Sequence, residues 1–135
     1  AIGSAMAVYE ASLKYAKERI QFDKPIASFQ LIQDKLVWML NEITKGQLIA
    51  LQVGKNKDNN TLKFQQISLI KRNNVWVARE CCKLAREIHG ANGISGEYPI
   101  MRHLMNIESV YTYEGTHDMH TLILGHDITD IPSFE

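Results

Sequence analysis

Apolar residues recur at every third or fourth position along most of this chain, and this spacing limits the fold more than any other feature. One such series is Ile32, Leu36, Met39 and Ile43. A period near 3.6 residues places the apolar side chains on one face of an α-helix. Sustained alternation of apolar and polar residues, which is typical of half-buried strands, does not occur. The pattern therefore predicts an all-α fold.

Capping and turn-forming residues divide this pattern into five predicted helices. The helices are predicted at residues 3–21, 28–55, 61–89, 99–110 and 119–128, with a turn near Pro25. Ser28, Thr61 and Thr116 are candidate N-caps, because a hydroxyl oxygen can accept a hydrogen bond from a free N–H group of the first turn. Gly90 is the predicted stop of the third helix. This order predicts an antiparallel four-helix bundle with an additional short C-terminal helix.

The second and third predicted helices are long enough to require a further interface. At roughly 1.5 Å per residue, each would be about 40 Å long. Helices of that length expose more surface than a chain of 135 residues can cover, so we expect subunit association or a further domain. The chain starts with Ala1 rather than Met, which is consistent with a fragment of a longer protein.

Composition and charge argue against several classes of partner. The formal net charge is zero and the lysines are dispersed, so we predict no nucleic-acid partner and no charged membrane-binding patch. No apolar run approaches the roughly 20 residues that span a bilayer, and residues 1–7 lack the features of a signal peptide. Cys81 and Cys82 are adjacent in a predicted helix and do not readily form a disulfide there, so both are interpreted as small core or boundary residues.

One carboxylate, Glu114, is a candidate catalytic base. It lies between Tyr113 and Gly115, directly before a helix start marked by Thr116 and Asp118. Free N–H groups at a helix N-terminus can bind phosphate or a carbonyl oxygen. Neighbouring aromatic rings could partly desolvate the carboxylate, which would disfavour its charged form and suit a general base. The alternative is a solvent-exposed glutamate in a connection between helices.

Two other patterns have both a functional and a structural interpretation. His117 and His120 are three residues apart near Glu114 and could form half of a metal site, but the motif supplies no further ligand and no metal is predicted. Arg19 could pair with a phosphate through its planar guanidinium. It could equally stabilise the C-terminus of the first helix.

Four motifs follow one another along the chain. They are Arg-Ile-Gln-Phe-x-x-Pro at residues 19–25, Phe-Gln-Leu-Ile-Gln at 29–33, His-Gly-Ala-Asn-Gly-Ile at 89–94 and Tyr-Glu-Gly-Thr at 113–116. In order and spacing, they resemble the C-terminal helical domain of the acyl-CoA dehydrogenase family over essentially the whole chain. Within that family, residues 68–74, 102–106 and 112–120 most resemble the glutaryl-CoA dehydrogenases.

The resemblance implies a flavoenzyme that oxidises an acyl-CoA thioester between its α and β carbons. Glu114 would remove the α proton as catalytic base while a hydride passes to FAD, and Gly115 would line the thioester site. A glutaryl-CoA dehydrogenase would also remove the distal carboxylate and form crotonyl-CoA. The implied partners are the acyl-CoA substrate, an electron-transfer flavoprotein and the other copies of a homotetramer, in the bacterial cytoplasm or the mitochondrial matrix.

The resemblance also assigns residues to FAD binding. These are Arg19, Gln30, Glu87, Ile88, His89, Gly90 and Ala91, which would reach the FAD of a neighbouring subunit, Thr116, His117 and Asp118 at the last helix, and Phe134 in the tail. Asp23 departs from the family pattern, because a glycine usually follows the Gln-Phe pair. This departure places an extra charge near the expected FAD pyrophosphate.

The N-terminal helical domain and middle β domain expected of the family have no counterpart in these 135 residues. Residues 1–135 are therefore interpreted as one C-terminal helical domain, which would be inactive alone. Two alternatives remain open: an acyl-CoA dehydrogenase for another acyl chain, and an inactive helical oligomerisation module.

Overall fold

The computed structural model describes residues 1–133, so Phe134 lies outside the described residues. Five α-helices account for most of the chain: α1 Ile2–Glu18, α2 Gln30–Asp58, α3 Phe64–His89, α4 Ile100–Thr112 and α5 His117–Thr129. They are connected in part by two 3-10 helices, Ile26–Ser28 and Gly90–Ile94, and by two short strands, β1 Ile20–Gln21 and β2 Lys24–Pro25. The predicted all-α class is confirmed.

The central helix of the bundle is α3, which packs against each of the other four α-helices. Its buried face carries small side chains such as Val77 and Ala78, and these let the neighbouring helices approach closely. Met39 of α2 and Ile100 and Ile107 of α4 are buried in the same core. Burial of these apolar side chains is the main favourable contribution to the stability of the bundle. The predicted helical bundle is therefore confirmed.

The first helix ends earlier than the sequence pattern predicts. α1 stops at Glu18, and Ile20, which lies within the predicted range 3–21, is 55% exposed and belongs to β1. β1 pairs with β2 in an antiparallel hairpin whose two turn residues, Phe22 and Asp23, have positive φ angles of 53° and 60°. Two-residue hairpin turns of this kind need positive φ at both positions, where glycine is favoured. Asp23, where the family usually has a glycine, therefore has a backbone conformation that a glycine would adopt with less strain.

Two of the three predicted N-caps are wrong. Ser28 lies in the first 3-10 helix, and its hydroxyl donates a hydrogen bond to the carbonyl oxygen of Pro25 at 2.8 Å. The Thr61 hydroxyl donates to the carbonyl oxygen of Asn56 at 3.2 Å, and α3 begins only at Phe64. Both hydroxyls therefore donate hydrogen bonds to carbonyl groups of the preceding segment. This interaction competes with capping of the next helix.

The Thr116 cap and the Gly90 stop are confirmed. The Thr116 hydroxyl oxygen accepts a hydrogen bond from the N–H of Met119 at 3.2 Å and caps α5. Gly90 follows α3 directly and has a positive φ of 56°, a conformation that side chains disfavour and that ends a helix. Both signals depend on residues within one helical turn, so they can be recognised from the sequence.

The two adjacent cysteines are free and fully buried on α3, as the sequence predicts. Burial raises the pKa of both the Cys81 and the Cys82 thiols to about 12. Both therefore stay protonated at neutral pH and act as small apolar side chains in the core.

The surface of α2 is unusually apolar for a bundle helix. Leu31, Val37, Leu48 and Leu51 are between 56% and 79% exposed. Within residues 1–133, no helix is both long enough and apolar enough to cross a lipid bilayer. The exposed side chains of α2 thus remain a surface that the described residues do not cover.

Candidate active site

The candidate base Glu114 lies in a tight connection between α4 and α5, which we call the Glu114 turn (residues 113–116). Tyr113 ends α4 by donating its N–H to the carbonyl oxygen of Ser109 at 3.0 Å. Glu114 and Gly115 then adopt positive φ angles of 52° and 89°. Positive φ is uncommon for a residue with a side chain and often marks a functional position. The turn places Glu114 immediately before the N-terminus of α5.

The side chain of Glu114 is exposed in the described chain, and its neighbour Tyr113 is 52% exposed. The expectation that aromatic neighbours desolvate this carboxylate is therefore wrong for the chain alone. Lys71 of α3 and His120 of α5 contact the turn at Gly115. Any desolvation of Glu114 requires another surface over the open side.

Beneath the turn, Gly115 lies directly on the imidazole of His120. A Cβ atom built on Gly115 would be 3.0 Å from Nε2 and 3.2 Å from Cε1 of His120. His120 is only 8% exposed, and burial lowers its pKa. Gly115 therefore meets two requirements of this position, since it tolerates positive φ and leaves room for the buried ring.

At the start of α5, His117 stacks on Tyr111 of α4. Their ring centroids are 4.9 Å apart and the planes are inclined by 10°, while the Arg79 guanidinium lies 4.5 Å from the Tyr111 ring centroid. Burial, aided by the positive charge of Arg72, lowers the pKa of His117. The imidazole thus favours its neutral form, and the stack holds the first residue of α5 against α4.

The central helix α3 also contacts the site directly. The Lys71 ammonium donates a hydrogen bond to the carbonyl oxygen of Gly115 at 2.6 Å, and Arg72 Nε donates to the Thr121 hydroxyl oxygen at 2.8 Å. Burial lowers the pKa of Lys71, and the Glu114 carboxylate opposes that effect. Sequence reasoning assigned no role to Lys71 or Arg72, because both are more than 40 positions before the turn.

His117 and His120 were also considered as half of a metal site. Within residues 1–133, no three His, Cys, Asp or Glu side chains form a group that could hold a metal ion. The two rings instead have separate surroundings, since His117 stacks on Tyr111 and His120 lies beneath Gly115. Their spacing reflects packing of the first turn of α5.

A second group of predicted residues lies at the opposite end of α3, around a cavity of about 300 Å³ that we call the Arg19 cavity. Its lining brings together Tyr15, Arg19, Gln21, Ile26, Glu87, Ile88, His89, Gly90, Ala91 and Asn92. Arg19 leaves α1 in an extended conformation, and its carbonyl oxygen accepts a hydrogen bond from the N–H of Ile26 at 2.9 Å. The fold therefore unites Arg19 with the segment at residues 87–91, as the resemblance implied.

Tyr15 of α1 organises this cavity, although sequence reasoning did not select it. Its ring stacks on His89 with the centroids 4.3 Å apart, and its hydroxyl donates to the carbonyl oxygen of His89 at 3.4 Å. Asn92 donates to the Tyr15 hydroxyl oxygen at 3.1 Å. His89 is itself buried, with Nδ1 2.8 Å from the carbonyl oxygen of Ala85, and burial lowers its pKa. These contacts connect the end of α3 to α1.

Glu87 and Gln30 differ from the other residues of this group. Glu87 forms an ion pair with Lys35 of α2 at 2.5 Å, and this hydrogen bond lowers the pKa of the carboxyl group. Gln30 lies outside the Arg19 cavity, in a separate open groove with Phe22 and Phe29. A small ligand in the Arg19 cavity would therefore lie beside Glu87, whose carboxylate is already paired, and away from Gln30.

The two groups of predicted residues lie apart along α3: the Arg19 cavity contains none of residues 113–118, and the cavity that includes His117 contains neither Arg19 nor any of residues 87–91. Lys71 and Glu87 mark the two ends on α3, and 16 residues separate them, or about 24 Å at 1.5 Å per residue. The arrangement thus contains two separate regions, one with a guanidinium and one with a carboxylate at a helix N-terminus.

A comparison with known families agrees with this geometry. Residues 1–129 match the family model described as "Acyl-CoA dehydrogenase, C-terminal domain". The chain therefore belongs to the acyl-CoA dehydrogenase family.

Individual relatives refine the comparison. A probable acyl-CoA dehydrogenase of Bacillus subtilis is 36% identical over 128 residues, which are 95% of this chain and 34% of that protein. A crystal structure of glutaryl-CoA dehydrogenase from Mycobacterium smegmatis has a TM-score of 0.97 and 51% identity, covering 99% of this chain and 35% of that chain. A second one from the same organism, in complex with FADH2, has a TM-score of 0.97 and 41% identity with the same coverage. The chain spans about a third of the length of these relatives.

Proposed function

We propose that this chain is the C-terminal helical domain of a longer, FAD-dependent glutaryl-CoA dehydrogenase. The observation that carries the proposal is the similarity of nearly the whole chain to the two mycobacterial structures. The enzyme would oxidise glutaryl-CoA between its α and β carbons. Loss of the distal carboxylate as carbon dioxide would then give crotonyl-CoA.

Glu114 is the proposed catalytic base. Its carboxylate is exposed on the side of the turn that the bundle leaves open, so a thioester bound by the rest of the enzyme can reach it. There the carboxylate would accept the α proton, and the backbone of Gly115 would line the thioester site. A substrate covering this side would exclude water from the open side of the turn.

Two buried ring nitrogens support FAD binding by this chain. His89, which lines the Arg19 cavity, and His117, at the start of α5, each have a buried ring nitrogen with no hydrogen-bond partner within residues 1–133. A buried polar atom without a partner is unfavourable, so each nitrogen fits a ligand with polar groups. Both ring nitrogens of His120 are buried and unpartnered in the same part of the chain, so this feature is shared with a residue that is not a proposed FAD contact. FAD supplies the acceptor of the hydride when it is bound.

The residues that would hold FAD belong to these two regions. Arg19 has a planar guanidinium suited to phosphate oxygens, beside the backbone of residues 87–91. Thr116 and Asp118 lie with His117 at the N-terminus of α5, where free N–H groups favour anionic or carbonyl groups. Two further residues are proposed as FAD contacts from the family resemblance alone. They are Gln30, in its separate groove, and Phe134, in the tail.

The apolar surface of α2 supports assembly into a homotetramer. Contiguous exposed apolar patches mark protein interfaces, and Leu31, Val37, Leu48 and Leu51 are exposed along α2. Such an assembly would bring a neighbouring subunit to the Arg19 cavity. Electrons would leave through an electron-transfer flavoprotein, and the bacterial relatives favour the bacterial cytoplasm over the mitochondrial matrix.

The decisive experiment is a substrate comparison with the purified full-length enzyme. Glutaryl-CoA is expected to be oxidised with release of one carbon dioxide per turnover, and faster than butyryl-CoA. Faster oxidation of butyryl-CoA would support the alternative of another acyl chain, which the Bacillus subtilis relative also allows. A colourless protein that associates without activity would support the oligomerisation module instead.

Arg19→Ala is expected to weaken FAD retention in the full-length enzyme. The guanidinium is the proposed phosphate partner in the Arg19 cavity, and hydrogen bonds to charged groups contribute about 1.5–3 kcal/mol, or about 10- to 100-fold in Kd. The Kd of FAD can be measured by titrating the apoenzyme and following the flavin fluorescence.

Lys17→Ala is the matched control. Lys17 is a cation of the last turn of α1, two positions before Arg19, is exposed and does not line the cavity, so the Kd of FAD should not change. An Arg19→Ala enzyme with the same Kd as the unmodified enzyme would show that Arg19 only stabilises the end of α1.

A further inference from the structure

The side chain of Lys71 joins the central helix to the backbone of the Glu114 turn. Its ammonium donates to the carbonyl oxygen of Gly115 at 2.6 Å, across 44 positions of sequence. Lys71 is half-buried on α3. The cost of holding a long, charged side chain in a half-buried position is offset when the charge has a well-placed partner.

The backbone conformation of the Glu114 turn needs stabilising contacts from residues outside the turn. Glu114 has a positive φ angle of 52°, and a residue with a side chain persists in such a conformation only when surrounding contacts hold it there. The bonds at its two ends, from Tyr113 to Ser109 and from Met119 to Thr116, restrain the helices on either side. Lys71 is the side chain that restrains the peptide between Gly115 and Thr116, one residue beyond Glu114, and His120 packs beneath Gly115.

We propose that Lys71 is a positioning residue for the Glu114 base. By holding the carbonyl oxygen of Gly115, its ammonium keeps the Glu114 turn in one conformation and presents the carboxylate to the α carbon in one orientation. This inference rests on the proposed function of Glu114. Misplacement of a reacting group by about 1 Å can lower a rate by about 100-fold, so a positioning contact of this kind affects turnover without touching the substrate.

Lys71→Met in the full-length holoenzyme tests the inference. Met keeps an unbranched, apolar side chain but cannot donate the hydrogen bond. The rate of flavin reduction at saturating glutaryl-CoA, measured by rapid mixing, is expected to fall by about 10- to 100-fold. The KM for glutaryl-CoA and the FAD content should remain unchanged. Lys71→Arg, which retains a charged N–H donor, should recover most of the rate.

Two further variants separate the possible outcomes. Lys83→Met makes the same substitution on the same helix, at an exposed residue paired with Glu80, and should reduce flavin at the normal rate. Glu114→Gln tests the proposed function itself. A normal rate for Lys71→Met, beside a slow Glu114→Gln enzyme, would overturn the inference and leave the function of Glu114 standing.

The remaining outcomes also decide against a positioning role. If Lys71→Met loses FAD, or raises KM without lowering the rate of flavin reduction, Lys71 has a structural role only. A Lys71→Arg enzyme as slow as Lys71→Met would show that the hydrogen bond is not what matters. A normal rate for Glu114→Gln would overturn the proposed function and this inference together.

Discussion

Glu114→Gln is expected to lower the turnover of the full-length enzyme by about 100- to 10,000-fold, because a positioned general base contributes about that much to a rate. The amide has nearly the shape of the carboxylate, so the Glu114 turn should keep its conformation. It cannot accept the α proton under the conditions of the reaction. Steady-state turnover with glutaryl-CoA measures the effect, and equilibrium binding of FAD and acyl-CoA should be unchanged.

Glu97→Gln provides a matched control for this prediction. Glu97 is also exposed and lies outside α-helices, between the second 3-10 helix and α4, and the same substitution there should not affect turnover. Near-normal turnover in Glu114→Gln would place the base elsewhere in the enzyme. Loss of FAD in that variant would indicate a binding role instead.

Gly93→Ala is expected to lower the free energy of unfolding by about 3 kcal/mol, a large value for one added methyl group. Gly93 is buried in the second 3-10 helix against the backbone of α3. A Cβ atom at this position would lie 2.4 Å from the carbonyl oxygen and 3.0 Å from Cα of Arg86. Moving backbone atoms of a central helix costs much free energy, so the loop or the helix end must shift. Chemical denaturation followed by circular dichroism measures the change.

Gly54→Ala separates this clash from the general effect of replacing a glycine. Gly54 lies within α2, and a Cβ atom there would meet nothing within 4 Å. Alanine has the higher helix propensity, so this variant should be more stable by about 0.5–1 kcal/mol. Equal losses in both variants would show that close packing against Arg86 is not the cause.

Much of the secondary structure could be predicted from the sequence because its determinants are local. Apolar spacing, the Thr116 cap and the glycine at Gly90 each act within one or two helical turns, and all three interpretations are confirmed. The errors occur where two local interactions compete. Ser28 and Thr61 bond to the preceding segment rather than to the next helix, and a hairpin replaces the last turn of the first predicted helix.

The predictions for the candidate site show the same difference between local and long-range interactions. Glu114, Gly115 and Thr116 are neighbours in sequence, so their grouping at a helix start follows from the chain itself. The pairing of Arg19 with residues 87–91 was implied only by family resemblance, and the fold brings these residues to one cavity. Tyr15, the residue that organises the cavity, carries no signal in sequence, because a tyrosine on an amphipathic helix is ordinarily a packing residue.

The sequence by itself determined the helical class, the approximate helix order and the motif that contains the candidate base. Only the tertiary structure decided that Lys71 holds Gly115, that His120 lies beneath it and that Glu114 is exposed. Helix formation depends on hydrogen bonds and side-chain contacts between residues three or four apart. Contacts across 44 positions depend on how the side chains of several helices pack together. The amino-acid sequence alone does not show that packing residue by residue.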